Sequence, residues 1–206
     1  MPTAVPIAPG AIHYPGYLGH EAQAALVEVL REALKQAPLF TPRMPRTGKA
    51  LSVRMTNLGA LGWVSDAEGY RYQSLHPDTG APWPEMPASL LSIWRELAAD
   101  APSPEACLVN FYDSAARMGL HQDRDEQAFG APVVSLSLGD SALFRLGGLT
   151  RSAPTLSFRL QSGDAFVFGG PARLAFHGVD RIYPTTSTLL PKGGRINLTL
   201  RRVTAA

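Results

Sequence analysis

Apolar and polar positions change rhythm three times along the chain. Between His20 and Gln36, Ala22, Leu26, Val29, Leu30 and Ala33 recur at helical spacing, which predicts an amphipathic helix ended by Pro38. Residues 1–16 and 38–49 are Pro-rich and read as irregular. Strand character follows in LSVRMTN from Leu51, then in LGWV and YRY around the turn SDAEG. HPDTGAPWPEMP is a Pro-dense loop, and a second helix is predicted from about Ala88 to Ala99, with Leu90, Leu91, Trp94 and Leu97 on one face. From Ala106 the texture becomes eight short runs: ACLVNFY, RMGLHQD, PVVSLSLG, ALFRLG, PTLSFRL, AFVFGG, RLAFHGV and RINLTLRRV. Turn formers separate them, so this half predicts a sandwich, jelly roll or barrel.

Composition narrows the class without naming a function. The chain is 45% hydrophobic and 17% charged over 206 residues, which fits one folded domain and argues against disorder. A net charge of +2 is too small to point to nucleic acid. Lys35, Lys49 and Lys192 are the only lysines, the other basic residues being arginine, whose planar fork suits phosphates and carboxylates. GC-rich codon usage produces the same bias. Cys107 is the single cysteine, so an internal disulfide and a multi-cysteine zinc site are excluded; it sits in an apolar run and is expected to be a buried thiol. A signal-peptide pattern is lacking, and no apolar stretch approaches the ~20 residues of a membrane span. The cytoplasm is the expected location.

Three constellations carry the chemistry. On a strand, residues i and i+2 share a side, so His121 and Asp123 of HQD are expected to face together. A distant His177 would complete a two-histidine, one-carboxylate set, which holds Fe(II) while leaving coordination positions open. HxD alone is a weak motif, and HQDRDEQ is polar enough for a surface turn. RINLTLRR then places Arg195, Asn197, Thr199 and Arg201 on one strand face and Ile196, Leu198 and Leu200 on the other. If the polar face is inward, two buried guanidiniums call for a dianion, and 2-oxoglutarate has two carboxylates. The plainer reading is an edge strand with a solvated arginine row. In NFY, Asn110 and Tyr112 also share a side and can donate to carboxylate oxygens.

Taken in order, NFY, HQDRDE, FHG and RINLTLR resemble the AlkB family of alkylation-repair dioxygenases, its bacterial branch above all. The likeness extends through VVSLSLGDSALFRLGGLTR and DAFVFGGPARLAFHG and upstream to SVRMTNLGALGWV, GYRY and PWPEMP, covering about Leu51 to Arg201. It implies a mainly β (α+β) fold: a double-stranded β-helix, or jelly-roll, core with flanking N-terminal helices and a nucleotide-recognition lid. One domain is expected over 1–206, with an N-terminal extension and helix in 1–50, the lid in 51–86 and the core in 106–203. The resemblance further implies Fe(II) on His121, Asp123 and His177, with 2-oxoglutarate and O2 as cosubstrates. Asn110, Tyr112, Arg195, Asn197 and Arg201 fall on 2-oxoglutarate contacts, Arg195 and Tyr112 at the distal carboxylate and Arg201 and Asn110 nearer the iron. Trp63 and Tyr70 match base-contacting aromatics that, with His121, would sandwich a flipped base. Asp125 matches an acid near the exocyclic edge of the base, Arg151 a residue at the pocket rim, and Met55 is placed on the lid against the pocket.

The implied reaction is oxidative demethylation of bases such as N1-methyladenine and N3-methylcytosine, giving succinate, CO2 and formaldehyde. The implied partner is alkylated DNA, single-stranded, with RNA as an alternative, acted on by a monomer away from any membrane. Phe168 departs from the family's Trp, and the stretch 100–105 is short. His13, His20 and His76 match nothing catalytic and read as surface or structural. Two other readings stand beside this one: an oxygenase of the same chemistry acting on a protein or lipid, and a sugar- or nucleotide-binding jelly roll without catalysis.

Overall fold

The computed structural model describes residues 3–205. Two strands, β1 (Val5–Ala8) and β2 (Ala11–Tyr14), precede helix α1 (His20–Gln36). Strands β3 (Arg54–Gly59), β4 (Gly62–Asp66) and β5 (Gly69–Gln73) lead to helix α2 (Ala88–Leu97). The remainder is β6 (Ala106–Tyr112), β7 (Met118–His121), β8 (Val133–Gly139), β9 (Ser141–Leu146), β10 (Leu156–Leu160), β11 (Ala165–Phe168), β12 (His177–Tyr183) and β13 (Arg195–Arg201). A seven-stranded sheet runs β1-β2-β11-β8-β13-β6-β3, a four-stranded sheet β10-β9-β12-β7, and β4-β5 form a separate hairpin.

The period-2 alternation of the core strands is what layers the molecule. On β8, Val134, Leu136 and Leu138 join Leu198 and Leu200 of β13 and Cys107 and Val109 of β6 in one cluster. That cluster also holds Leu26, Val27 and Leu30 of α1 and Leu90, Ile93 and Trp94 of α2, so the helices cover the outer face of the large sheet. The opposite parity builds a second cluster between the sheets, with Tyr112, Val133, Phe144, Phe166, Phe168, Val179 and Ile182. Burying each such side chain contributes about 1.5–3 kcal/mol relative to leaving it exposed. The result is a jelly-roll sandwich, as the family resemblance implies and among the architectures the strand pattern allows.

Several local expectations are corrected. The segment expected to be irregular over 1–16 is ordered where it is described: β1 and β2 form a hairpin, and β2 pairs with β11. Pro6 is tolerated because β1 is the sheet's edge and need not donate outward. On α1 the sheet-facing residue is Val27, while Val29 is 38% exposed; on α2, Ile93 takes the place expected of Leu91. The strand expected over RLAFHGV begins only at His177 and continues to Tyr183. Strand β13 lies between β8 and β6, so its arginine row faces the interior and not solvent. Cys107 is buried, as expected, which pushes its thiol up to about 12. Met55 sits on β3, a strand paired with β6, and packs with Val64 and Trp83. Among the described residues no helix is long and apolar enough to cross a membrane.

Candidate metal and cosubstrate site

His121 ends β7 and His177 opens β12, and the two are direct cross-strand partners. Their ring centroids are 4.5 Å apart. Gly178 permits this approach, because a Cβ there would stand 2.5 Å from the Met118 carbonyl oxygen. Each ring is oriented by a backbone carbonyl 3.0 Å from its Nδ1, Gly119 O for His121 and Ala175 O for His177. An Nδ1–H donor to each carbonyl leaves the Nε2 lone pair as the ligand atom. Both Nε2 atoms point at Asp123, 3.6 Å from Oδ1 and Oδ2 respectively. That spacing is too long for hydrogen bonds and suits donors to one ion.

Asp123 reaches this position by a route that strand alternation does not describe. Strand β7 stops at His121, and Asp123 lies in the loop beyond it, buried. Arg173 Nη1 donates to the Asp123 carbonyl oxygen at 2.7 Å, which holds the loop inward. Arg201 Nη2 stands 2.7 Å from Asp123 Oδ2. The approach is off-axis, so Oδ2 still accepts no well-directed hydrogen bond. Burial raises the Asp123 carboxyl, but Arg201 first, then His177, His121 and Arg173, outweigh it and hold it at about 2. Burial, with Phe144 and Phe168 beside the ring, pushes His177 down to about 4 against the opposing pull of Asp123. Asp123 is therefore a carboxylate and His177 a neutral imidazole at neutral pH, the forms a metal requires. The three ligand atoms lie within 4.8 Å of one another, and the donor chemistry fits Fe(II).

Around Asp123 the buried charges close into a network. Glu126 takes Arg173 Nη2 at 3.2 Å on one oxygen and Arg201 Nη1 at 3.1 Å on the other. The Tyr72 hydroxyl donates to Glu126 Oε1 and accepts from Arg201 Nη1 at 2.9 Å. Two carboxylates thus meet two guanidiniums, which is the condition for tolerating charge away from water. Glu126, Arg173 and Tyr72 were not anticipated from sequence. Glu126 lies in a polar loop without periodicity, so no spacing in the sequence marks it.

A cavity of about 670 Å³ opens on this centre. It is lined by twelve of the thirteen residues singled out from sequence: Met55, Trp63, Tyr70, Asn110, Tyr112, His121, Asp123, Asp125, Arg151, His177, Asn197 and Arg201. Arg195 is the exception. It is buried off the cavity wall, where Nη2 donates to Ser137 Oγ at 2.7 Å and Nη1 lies near the Asp140 and Leu160 carbonyls. Among the described residues no carboxylate lies within 4 Å of it, and burial lowers it to about 10. Its Nε, the Nε of Arg201 and Oδ1 of Asn110 are buried without partners. Two buried arginines with spare Nε–H donors, one of them without a carboxylate, fit an anionic cosubstrate. Asn197 differs: its Nδ2 serves Ser135 Oγ and the Leu136 carbonyl, and its Oδ1 takes Thr199, so its amide is largely used within the protein.

The hairpin β4-β5 forms the cavity's other wall. Trp63 and Tyr70 stack on each other at 5.7 Å and 16°. That spacing has no room for a base between them, so a base could lie only against the pair's cavity side. Asp125 is exposed, beyond the end of β7, and accepts from Trp63 Nε1 at 2.7 Å. Arg151 is exposed at the rim, with Nη1 on the Leu120 carbonyl and its guanidinium over Phe176. His13 pairs with Asp164, and His76 packs between Phe40 and Trp83 with Nε2 on the Pro38 carbonyl, both away from this cavity.

Comparison with known proteins agrees with this geometry. Residues 10–201 match the profile of the 2OG-Fe(II) oxygenase superfamily. The chain is 56% identical over 200 residues to an alpha-ketoglutarate-dependent dioxygenase AlkB homolog of Caulobacter vibrioides, covering 97% of this chain and 90% of that protein. It is 33% identical over 226 residues to the Arabidopsis thaliana DNA N(6)-methyladenine demethylase ALKBH1C, covering 95% of this chain and 49% of that one. The solved structure of OsALKBH1 superposes with a TM-score of 0.84 at 33% identity, covering 97% of this chain and all of that one. Fe(II), 2-oxoglutarate and O2 are accordingly the cofactor and cosubstrates of this enzyme. The chain belongs to the AlkB family, within the 2OG-Fe(II) oxygenase superfamily, and is an Fe(II)- and 2-oxoglutarate-dependent dioxygenase.

Proposed function

We propose that the enzyme oxidatively demethylates alkylated nucleic-acid bases such as N1-methyladenine and N3-methylcytosine in DNA, single strands above all, with RNA as a second acceptor, and acts as a monomer. The observation that carries this reading is the stacked Trp63–Tyr70 pair on the wall of the cavity that also holds His121. A volume of about 670 Å³ is ample for one planar base beside 2-oxoglutarate. Aromatic faces are the general means of holding a base that has left its stack. The named activity of the Arabidopsis relative, DNA N(6)-methyladenine demethylation, points the same way.

In this reading His121, Asp123 and His177 hold iron, with Asp123 and His177 already in the protonation states it requires. Arg195 and Tyr112 neutralise and orient the distal carboxylate of 2-oxoglutarate, and Arg201 and Asn110 serve the end nearer the metal. Asn197, its donors occupied, orders that wall. When bound, the iron with 2-oxoglutarate and O2 supplies the oxidation that turns the N-methyl into a hydroxymethyl lost as formaldehyde, with succinate and CO2 as coproducts. Trp63 and Tyr70 support the base against His121, Met55 closes the cavity floor, and Asp125 and Arg151 hold its rim. The protein's part is position and exclusion of water.

The test is anaerobic reconstitution with Fe(II) and 2-oxoglutarate, then mixing with air and a single-stranded oligonucleotide carrying one N3-methylcytosine. Stoichiometric succinate and loss of the methyl mass are expected together. Succinate without demethylation would move the enzyme to a protein, lipid or other substrate. Neither product from iron-loaded protein would overturn the repair reading.

A further inference from the structure

The outward face of the four-stranded sheet carries a row of arginines that the catalytic site does not use. On β9 the inward residues are Ala142, Phe144 and Leu146, which leaves Leu143 and Arg145 facing out. Leu143 is paired on one side with Arg159 of β10 and on the other with Arg181 of β12. Arg145 lies two residues along β9 from it, on the same face. Arg159 and Arg181 are exposed and Arg145 half-buried. Arg159 lies over the Tyr183 ring at 4.2 Å. Thr155 and Ser157 add hydroxyls, Thr155 accepting from Arg145 Nη2 at 3.1 Å. Residues 141–163 contain Arg145, Arg151 and Arg159 and no acid. The carboxylate on this face is Asp180, 3.8 Å from Arg145 Nη1, a pair exposed enough to be weak.

This face leads to the active centre. A groove of about 230 Å³ is lined by Arg117, Arg145, Asp180 and the β7 and β12 residues Met118, Gly119, Leu120, Gly178 and Val179. The last five also line the catalytic cavity. A polymer whose one unit enters the cavity can thus continue over β7 and β12 onto the arginine row. Neighbouring strands are about 4.8 Å apart, so Arg159 and Arg181, with β9 between them, are about 10 Å apart at the backbone. Planar cations at that interval, hydroxyl donors and an aromatic ring are the complement of a phosphodiester backbone, and Asp180 opposes it. An acidic protein surface would not need the aromatic or continuity with the cavity.

We propose that Arg145, Arg159 and Arg181 form a phosphate track that holds the nucleic-acid strand flanking the nucleotide in the cavity. The proposal rests on a nucleic-acid substrate. It makes affinity depend on strand length beyond what the cavity alone grips, and gives that added affinity a salt dependence set by these side chains.

The test compares wild type with the triple variant R145Q/R159Q/R181Q, using full-length protein of matched melting temperature. Fluorescence anisotropy reads binding of an unmodified single-stranded 15-mer and of a trinucleotide across a salt series. The variant is expected to bind the 15-mer about tenfold more weakly at low salt. Its slope of log affinity against log salt should be shallower by about 2, some 0.7 for each lost phosphate contact. The trinucleotide should bind both proteins alike. A control variant, R31Q/K35Q on α1, should leave the 15-mer slope unchanged. Equal slopes for wild type and triple variant, or equal weakening of 15-mer and trinucleotide, would overturn the track. Because the probe carries no lesion, this result is independent of demethylation: a wild type that binds long strands through these arginines but repairs nothing would leave the track standing and remove the proposed reaction.

Discussion

The Tyr72 hydroxyl accepts a hydrogen bond from Arg201 Nη1 at 2.9 Å, although 129 residues separate them in sequence. Tyr72 is the direct cross-strand partner of Trp63 on the β4-β5 hairpin, so it shares the face that carries the aromatic stack. Arg201 in turn stands against Asp123 of the His121–Asp123–His177 set. One phenol therefore ties the Trp63–Tyr70 stack to the His121–Asp123–His177 set. In Tyr72→Phe, Glu126 and Arg201 each lose a partner, and stability should fall by about 1–3 kcal/mol. The KM for an alkylated oligonucleotide should rise several-fold, with a smaller change in kcat. Urea melts and steady-state kinetics check this. A change confined to kcat would detach Tyr72 from substrate positioning.

Arg201 is the cation on which both buried acids depend. Arg201→Met leaves Asp123 and Glu126 with only Arg173, and a cost of about 3–5 kcal/mol is expected for breaking a buried pair from one side. The Asp123 carboxyl should rise from its depressed position, so Fe(II) competes with a proton and binds more weakly at acid pH. Arg201→Lys keeps the charge and should recover much of the stability but not the forked contact to Asp123 and Glu126. Calorimetry and metal titration at two pH values distinguish the outcomes; equal stability for the Met and Lys variants would contradict the charge balance.

Asp125 tests whether its charge or its hydrogen bond matters. It is exposed and accepts from Trp63 Nε1 at 2.7 Å, so its carboxylate is screened by solvent and its direct role is to pin the indole. Asp125→Ala should lower kcat/KM about fivefold, on the order of 1 kcal/mol, on both cationic N3-methylcytosine and neutral etheno adducts. Asp125→Asn retains an acceptor oxygen and should lose much less. A loss in both variants limited to the cationic lesion would show that the charge acts on the base.

Strand β13 was legible because it alternates. Arg195, Asn197, Thr199 and Arg201 against Ile196, Leu198 and Leu200 marks a two-faced strand, and it is the burial of the arginines that decides for an inward polar face over a solvated edge. The pairing of His121 with His177 was readable only through family likeness, because register between strands 56 residues apart leaves no trace in either segment. Asp123 was placed correctly for an incomplete reason: β7 ends two residues early and Arg173 does the work assigned to alternation. Glu126 and Tyr72 stayed hidden because a loop acid and a hairpin tyrosine show their value only when folding brings them to Arg201. The β1-β2 hairpin was masked by prolines that an edge strand accepts.

The acid limb of stability should begin at His177. Burial holds the folded imidazole at about 4, below its ordinary 6.5. Between those values the unfolded chain takes up a proton that the folded chain refuses, so stability is complete above about pH 6.5 and falls as pH drops toward 4. Asp123, held at about 2, adds stability above its ordinary 3.8 that is lost on further descent toward 2. In metal-free protein, His177→Asn should flatten the upper limb by up to about 1.4 kcal/mol per pH unit while leaving the lower limb in place. Urea melts from pH 7 to pH 4 measure it. An unchanged slope in the variant would mean that another group titrates there.

Arg195 sets stability against function. It is 1% exposed, bears a charge with no carboxylate within 4 Å among the described residues, and leaves its Nε without a partner. Such a group costs free energy in the cosubstrate-free protein, and an apolar side chain of similar length should cost less. Arg195→Met is therefore expected to melt no lower than wild type when 2-oxoglutarate is absent, and higher if the Ser137 hydroxyl it leaves behind finds another partner. Wild type should gain melting temperature on adding 2-oxoglutarate with Mn(II) in place of iron, since a ligand bound only by the folded state stabilises it by mass action. The variant should gain from the metal but little from 2-oxoglutarate. Thermal melts in the four conditions separate these contributions. A variant that keeps the full 2-oxoglutarate shift would remove Arg195 from the cosubstrate site, and one that is strongly destabilised without it would mean that Ser137 and the two carbonyls already satisfy the guanidinium.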